Sequence, residues 1–229
     1  MKILWSQLVK ESQGKELCRH SDVMITRLGY DSRIISFYEG LLFVAMTGPR
    51  ADGHYFISEL YNRGVRCFVV ERFIDINLYP KANIFLTTSS RACLQDLGRW
   101  AVAHNPIPLI AITGSNAKTL VKEWLAALLS EKFVVAKSPQ SFNSQIGVAL
   151  SVWDLSAHHQ IGVFEAGISQ QGEMECLQKI LQPTMGIFTN IGEAHDHGFK
   201  DLANKIDEKA STKNSLKKDE IVAADDKKK

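Results

Sequence analysis

The stretch "LIAITGSNAKTLVKEWLAALLS", residues 109–130, most constrains what this chain can fold into. An uncharged apolar run leads into a turn of small and polar residues. A segment with Val121, Leu125, Leu128 and Leu129 on one side, and Trp124 adjoining, follows directly. That pattern predicts a buried strand, a tight turn and an amphipathic helix from about Lys118 to Ser130. Strand-then-helix is the unit of a parallel sheet, and in such sheets ligands collect beyond the carboxyl ends of the strands. The rhythm recurs in "FVVA" (133–136), "GVFE" (162–165) and "GIFTN" (186–190), and upstream in "LLFVAM" (41–46), "CFVV" (67–70) and "NIFLTT" (83–88). "YFISELYNRG" (55–64) reads as a helix closed by Gly64. "RACLQDLGRWAVAH" (91–104) reads as another, with Leu94, Leu97, Trp100 and Ala101 inward. "NPIP" (105–108) stops that helix and stiffens a connector, so the expected organisation is α/β throughout, with one domain over 1–104 and a second over 105–229. "EIVAA" (220–224) offers one more strand before a charged, solvated end.

Composition narrows the function classes. The net charge of +2 gives no reason to expect a nucleic-acid surface. No run reaches the ~18 apolar residues of a membrane span, and the N-terminal apolar residues are interrupted by Gln, Lys and Glu, unlike a secretory leader. Cys18, Cys67, Cys93 and Cys176 are widely spaced and form no CxxC, which argues against structural zinc and for a reducing, cytoplasmic setting.

The polar residues at the predicted strand ends carry the chemistry: Thr113-Gly114-Ser115, Glu165 and Asn190. A phosphate-binding loop presents consecutive backbone N–H groups at the head of a helix, where the helix dipole also favours an anion. A Lys adds a point charge and a Ser or Thr hydroxyl ligates Mg²⁺. Gly114, Ser115, Asn116, Ala117, Lys118 and Thr119 stand in those places, although Ile112 and Ala117 occupy the two positions where the strict pattern has Gly. An ordinary strand–helix turn with a surface lysine reads the same from this segment alone. If position 117 needs φ > 0, Ala costs roughly 1 kcal/mol there.

Five segments taken together resemble the Mur ligase family, the ATP-dependent amide-forming enzymes of peptidoglycan synthesis. They are most similar to the branch that adds D-Ala-D-Ala to UDP-MurNAc-tripeptide. "DSRIISFYEGLLFVAMTGPRADGHYFI" (31–57) resembles that branch's uridine-nucleotide-binding start, and "TGSNAKTLVKEW" (113–124) its T-G-[ST]-[NS]-G-K-T-x-x-K-E loop. "SFNSQIGVALSV" (141–152) is similar to F-N-N-x-I-G-V-P-L, "VFEAGISQQGEME" (163–175) to E-x-G-x-x-x-x-G-E-I, and "TNIGEAHDHGF" (189–199) to T-N-I-x-x-A-H-x-x-G-F. The first two segments also resemble a variant fused ahead of an alanine racemase.

The resemblance implies a small N-terminal α/β uridine-nucleotide-binding domain followed by part of a parallel-sheet, phosphate-loop central domain. It implies ATP and Mg²⁺ as cofactors, UDP-MurNAc-peptide and D-Ala-D-Ala as substrates, and a monomer. By this likeness Lys118 holds the ATP phosphates, and Thr119, Glu165 and His195 ligate Mg²⁺. Ser32, Arg33, Asp52, Gly53, His54 and Asn143 face the UDP-linked substrate. Lys209, with Lys205 as the fallback, takes the place of a lysine carbamylated by CO₂; either equally reads as a solvated helix lysine. A strand-end Glu and a lone His, taken without the motifs, read as solvated or structural, and His197 has no counterpart. The departures are Ala117 for the loop Gly, Ser144 for the second Asn of F-N-N, and Ala223 for the Asn of an N-A-D-D strand end. Family ligases have three domains, so the 229-residue chain by itself is expected not to complete the ligation. A non-catalytic uridine-nucleotide-binding module, or a degenerate phosphate-loop protein, is the alternative.

Overall fold

The computed structural model describes residues 1–49, 51–168, 172–190 and 221–223. Its strands are β1 (Ile3–Leu4), β2 (Lys15–Cys18), β3 (Met24–Ile25), β4 (Arg27–Gly29), β5 (Leu41–Val44), β6 (Cys67–Val70), β7 (Asn83–Leu86), β8 (Leu109–Thr113), β9 (Val135–Lys137), β10 (Ile161–Glu165), β11 (Met185–Phe188) and β12 (Ile221–Ala223). Its α-helices are α1 (Trp5–Glu11), α2 (Ile57–Asn62), α3 (Ser90–Ala103), α4 (Lys118–Ser130), α5 (Gln145–Trp153) and α6 (Glu173–Leu181). The chain forms two compact units, Met1–Trp100 and Ala101–Lys229.

In the first unit the sheet order is β2-β7-β6-β5-β4. β4 to β7 run parallel, and β2 closes the edge antiparallel to β7. "LLFV" and "CFVV" are buried at every position, as strands covered on both faces must be. Phe43, Phe68, Ile84, Leu60 and Val65 fill the core beneath α2. The helix expected over 55–64 is split: a 3₁₀ turn over Gly53–Phe56 precedes α2. The turn forms because the Asp52 carboxylate accepts the His54 N–H at its start.

The second unit is a five-stranded parallel sheet, ordered β12-β11-β8-β10-β9. α4 covers one face through Val121, Leu125 and Leu129, packed on Ile110, Ile112, Ile161 and Val163. α5 and α6 cover the other through Val148, Val152, Met174, Leu177 and Ile180. The chain leaves β8 toward β9 on one side and leaves β10 toward β11 on the other. Strand order therefore reverses between β8 and β10, which opens a crevice at their carboxyl ends.

Two local expectations are corrected. Leu128 and Trp124 do not face the sheet; they are 73% and 64% exposed, while Lys122 and Ala126 are buried. β9 starts at Val135 rather than at 133: Phe133 N–H closes α4 on the Leu129 carbonyl, and Val134 N–H is taken by the Gln160 side chain.

Candidate nucleotide and substrate sites

The crevice of the second unit is built from the ends of β8, β10 and β11. Glu165, opposite Ile112 in the ladder, is wholly buried at the end of β10. Thr119, in the first turn of α4, donates its hydroxyl to Glu165 Oε2 at 3.1 Å. Thr189 N–H and Thr189 Oγ1 both reach the loop, at Thr113 O (2.9 Å) and Asn116 O (2.6 Å). Asn190 accepts Ser115 N–H on its carbonyl and Asn116 N–H on its side chain, both at 2.8 Å. The loop is thus clamped to β11, and Gly114 (φ +142) is obligatory, since a Cβ there would lie 2.0 Å from Thr189 Oγ1.

Ala117 is left-handed, φ 62 and ψ 5, at the N-cap of α4, and no side chain caps the helix. The conformation that the missing Gly would supply is therefore present, and Ala bears its strain. Lys118 folds back over the loop, its ammonium donating to Gly114 O at 2.8 Å and Ser115 O at 3.2 Å. Burial lowers its pKa, and the Glu165 carboxylate partly opposes that shift. An uncapped helix start, a lysine poised beside it and a Thr–Glu pair beneath form a half-site for an anion with a cation.

The donor set suits Mg²⁺. Glu165 Oε1 is buried and faces the Lys122 ammonium at 3.1 Å without a hydrogen bond, and Oε2 takes the Thr119 hydroxyl, so a carboxylate with lone pairs to spare lies beside a hydroxyl oxygen. Mg²⁺ takes one or two protein oxygens and completes its octahedron with water and phosphate. Among the described residues no three His, Cys, Asp or Glu side chains cluster. His195 and Lys209, with Lys205, lie outside the described residues.

Asn143 is brought to the same crevice: its carbonyl accepts Gly167 N–H at 2.9 Å, and its side chain packs on Gly167, just past Glu165. Ser144 has a structural task, capping α5 by accepting Gly147 N–H.

The remaining candidates lie in the first unit, at the carboxyl ends of its strands. Arg33 is 83% exposed and is gripped by the Asp31 carboxylate through its backbone N–H, Nε and Nη2, with Ser32 half-buried between them. His54 is turned inward, its Nδ1 2.6 Å from Asp52 and its Nε2 accepting Glu71 N–H at 2.9 Å. Those contacts set the tautomer, with the proton on Nδ1. Burial pushes the Asp52 carboxyl up, but hydrogen bonds from His54 and Arg72 outweigh it and hold it at about 2. Gly53 lets the loop press on Met46 and Ala45, where a Cβ would meet backbone at 3.0–3.1 Å. Asp52, Gly53 and His54 are thus joined chiefly to one another and to Arg72 and Glu71. Those two line a cavity of about 450 Å³ with Lys15, Thr87 and Thr88, at the ends of β6 and β7. Arg72 carries no motif signal, and only the fold places it there. A cavity of about 790 Å³ opens at the opposite, amino ends of β4, β5 and β6. Ligands of parallel sheets bind at carboxyl ends, and none of the candidate residues lines this larger cavity.

The Mur ligase middle domain profile matches residues 112–229, just over half the chain, and a Mur ligase family catalytic domain profile matches 24–131. The chain belongs to the Mur ligase family. It is 36% identical over 188 residues to the UDP-N-acetylmuramoyl-tripeptide--D-alanyl-D-alanine ligase of Borreliella burgdorferi, covering 74% of this chain and 40% of that one. The enzyme of the same name from Bacillus subtilis is 28% identical over 204 residues, covering 89% and 44%. MurF from Acinetobacter baumannii superposes with a TM-score of 0.87 at 28% identity, over 96% of this chain and 49% of its own. MurF ligase from Thermotoga maritima, solved in complex with ADP, gives 0.77 at 30% identity, over 88% and 46%. The chain thus spans less than half the length of the relatives it matches. No helix among the described residues is long and apolar enough to cross a membrane.

Proposed function

We propose that this Mur ligase chain supplies the UDP-MurNAc-tripeptide and Mg-ATP half-sites of an amide ligase that adds D-Ala-D-Ala through an acyl phosphate. It would act in the cytoplasm, as a monomer. The observation that carries the reading is the crevice between β8 and β10, where Lys118 and Thr119 of the loop meet buried Glu165. Lys118 would leave the Gly114 and Ser115 carbonyls to grip the phosphates. Thr119 and Glu165 would hold Mg²⁺, with His195 and a carbamylated Lys209 as the further groups expected from the motifs. The metal supplies charge neutralisation for phosphate transfer to a carboxylate. Asn143, beside Gly167, would orient the peptide end, and Ser32, Arg33 and the Asp52–Gly53–His54 loop would serve the uridine end.

Calorimetric titration of UDP-MurNAc-tripeptide and of Mg-ATP, each alone, tests this. Binding of both supports the ligase reading. Binding of the uridine ligand alone would leave a non-catalytic module. Arg33→Ala is expected to weaken the uridine ligand about 10-fold, because a charge-assisted contact to phosphate is worth roughly 1.5–3 kcal/mol. An unchanged affinity removes Arg33 from the site.

Ala117 sets a second expectation. Its strained φ of 62 is present without ligand, so Ala117→Gly should raise stability by up to about 1 kcal/mol. Removing a methyl that crowds the phosphates should also tighten Mg-ATP about 5- to 30-fold, which is 1–2 kcal/mol. Tightening in calorimetry checks it, and an unaltered Kd would place the methyl clear of the phosphates.

A further inference from the structure

Lys122 is an anomaly. It sits on α4 among residues that pack on the sheet, and its side chain is completely buried. Its ammonium is surrounded by oxygen. It donates to Ser138 O at 2.9 Å and to Gln140 O. It also lies 3.1 Å from Glu165 Oε1 and 3.1 Å from Glu123 Oε1. Burying an ammonium is costly unless every contact compensates, and removing one member of such a set leaves the others uncompensated.

The surroundings are those of the nucleotide half-site. Glu165 is the carboxylate that Thr119 touches through its other oxygen. Gln140 is left-handed, φ 47, in the turn that leads from β9 to Asn143. Ser138, at the start of that turn, also accepts Glu165 N–H on its hydroxyl at 3.4 Å. One ammonium therefore ties the helix of the phosphate loop to the buried carboxylate and to the strained turn before Asn143.

We infer that Lys122 is a positioning residue of the Mg-nucleotide site: a tethered cation that holds the Glu165 carboxylate against Thr119 and fixes the 138–143 turn. The inference rests on the nucleotide reading above. It differs from the role given to Lys118, because Lys122 has no exposed surface with which to touch a phosphate. A lysine that only braced the fold would affect nucleotide binding equally with and without metal. A lysine that aims Glu165 would affect it chiefly when Mg²⁺ is present.

The test measures ADP affinity by calorimetry, in Mg²⁺ and in EDTA, for wild type, Lys122→Met, Glu165→Gln and the double variant. In Lys122→Met the Mg-ADP affinity is expected to fall 10-fold or more and the metal-free affinity less than 3-fold. Adding Lys122→Met to Glu165→Gln is expected to change Mg-ADP binding less than 2-fold, since the two residues act as one unit. If Lys122→Met alone does not fold, the double variant, which removes both charges, is compared with Glu165→Gln by the same criterion. Equal losses with and without Mg²⁺, or a further 10-fold loss in the double variant, would overturn the inference while leaving the nucleotide reading intact. A wild-type chain that binds no ADP in either condition would overturn both.

Discussion

Lys118→Ala is expected to weaken Mg-ATP binding about 100-fold. The ammonium is half-buried over the loop, held by the Gly114 and Ser115 carbonyls at 2.8 and 3.2 Å. Those contacts compete only weakly with a triphosphate, because a carbonyl carries a partial charge and a phosphate oxygen a full one. A charge-assisted hydrogen bond in this setting is worth roughly 1.5–3 kcal/mol, and 2.7 kcal/mol is about 100-fold. The backbone contribution is modest here, since Ser115 and Asn116 spend their N–H groups on Asn190. The α4 start and Lys118 must then supply most of the attraction. Titration of Mg-ATP checks this. A loss below about 5-fold would show that the uncapped helix start holds the phosphates by itself, and that Lys118 remains on its carbonyls in the complex.

The loop and its partners show why some of this was legible beforehand. β8 and α4 fall where their pattern places them, at Leu109–Thr113 and Lys118–Ser130. A strand buried on both faces writes a plain apolar run, and the turn after it has little freedom. The convergence of Gly114, Glu165 and Asn190 follows from the same logic, because parallel strands deliver all their carboxyl ends to one side. The opening 30 residues were not legible. Their strands are two to four residues long, and no period can declare itself over that length. α5 also left no helical signature: Val148, Ala149, Val152 and Trp153 are all buried, and a helix enclosed on most sides lacks a polar face.

Single side chains were harder still. Lys122 falls on the second Lys of the loop motif, which assigns it no task, and only the placement of Ser138, Gln140 and Glu165 around it reveals a buried cation. Leu128 and Trp124 err the other way, apolar yet exposed. His54 reads as a ligand-facing residue within "DGH", whereas its ring spends both nitrogens inside the protein. Motifs identify the residues a site needs without saying which of them touch ligand and which hold the others in place.

That distinction gives the largest expected effect on stability. His54→Ala should destabilise the first unit by about 3 kcal/mol. The buried ring accepts Glu71 N–H and donates to Asp52; its loss orphans the Glu71 N–H and strips one hydrogen bond from Asp52, which keeps the residue-54 N–H and Arg72. An orphaned buried donor costs roughly 1–3 kcal/mol, and a lost bond to a charged group roughly 1.5–3. Glu71 spreads the damage, because its carboxylate accepts Ser90 N–H at 2.9 Å and Thr47 N–H at 3.2 Å. Amide exchange in β5 and β6 should quicken about 100-fold, and a change below 5-fold would show that water replaces the ring. Asp52 supplies the pH arm. Its folded pKa of about 2 lies below the usual 3.8, so its contribution is complete above pH 4. At neutral pH it is worth roughly 2 kcal/mol. As pH falls through 4 toward 2 the unfolded chain takes up the proton first, and the contribution disappears. Asp52→Asn should therefore lower stability by roughly 2 kcal/mol at pH 7 and converge on wild type near pH 2. A difference that persisted undiminished at pH 2 would mean that Asp52 acts through shape, with its charge incidental.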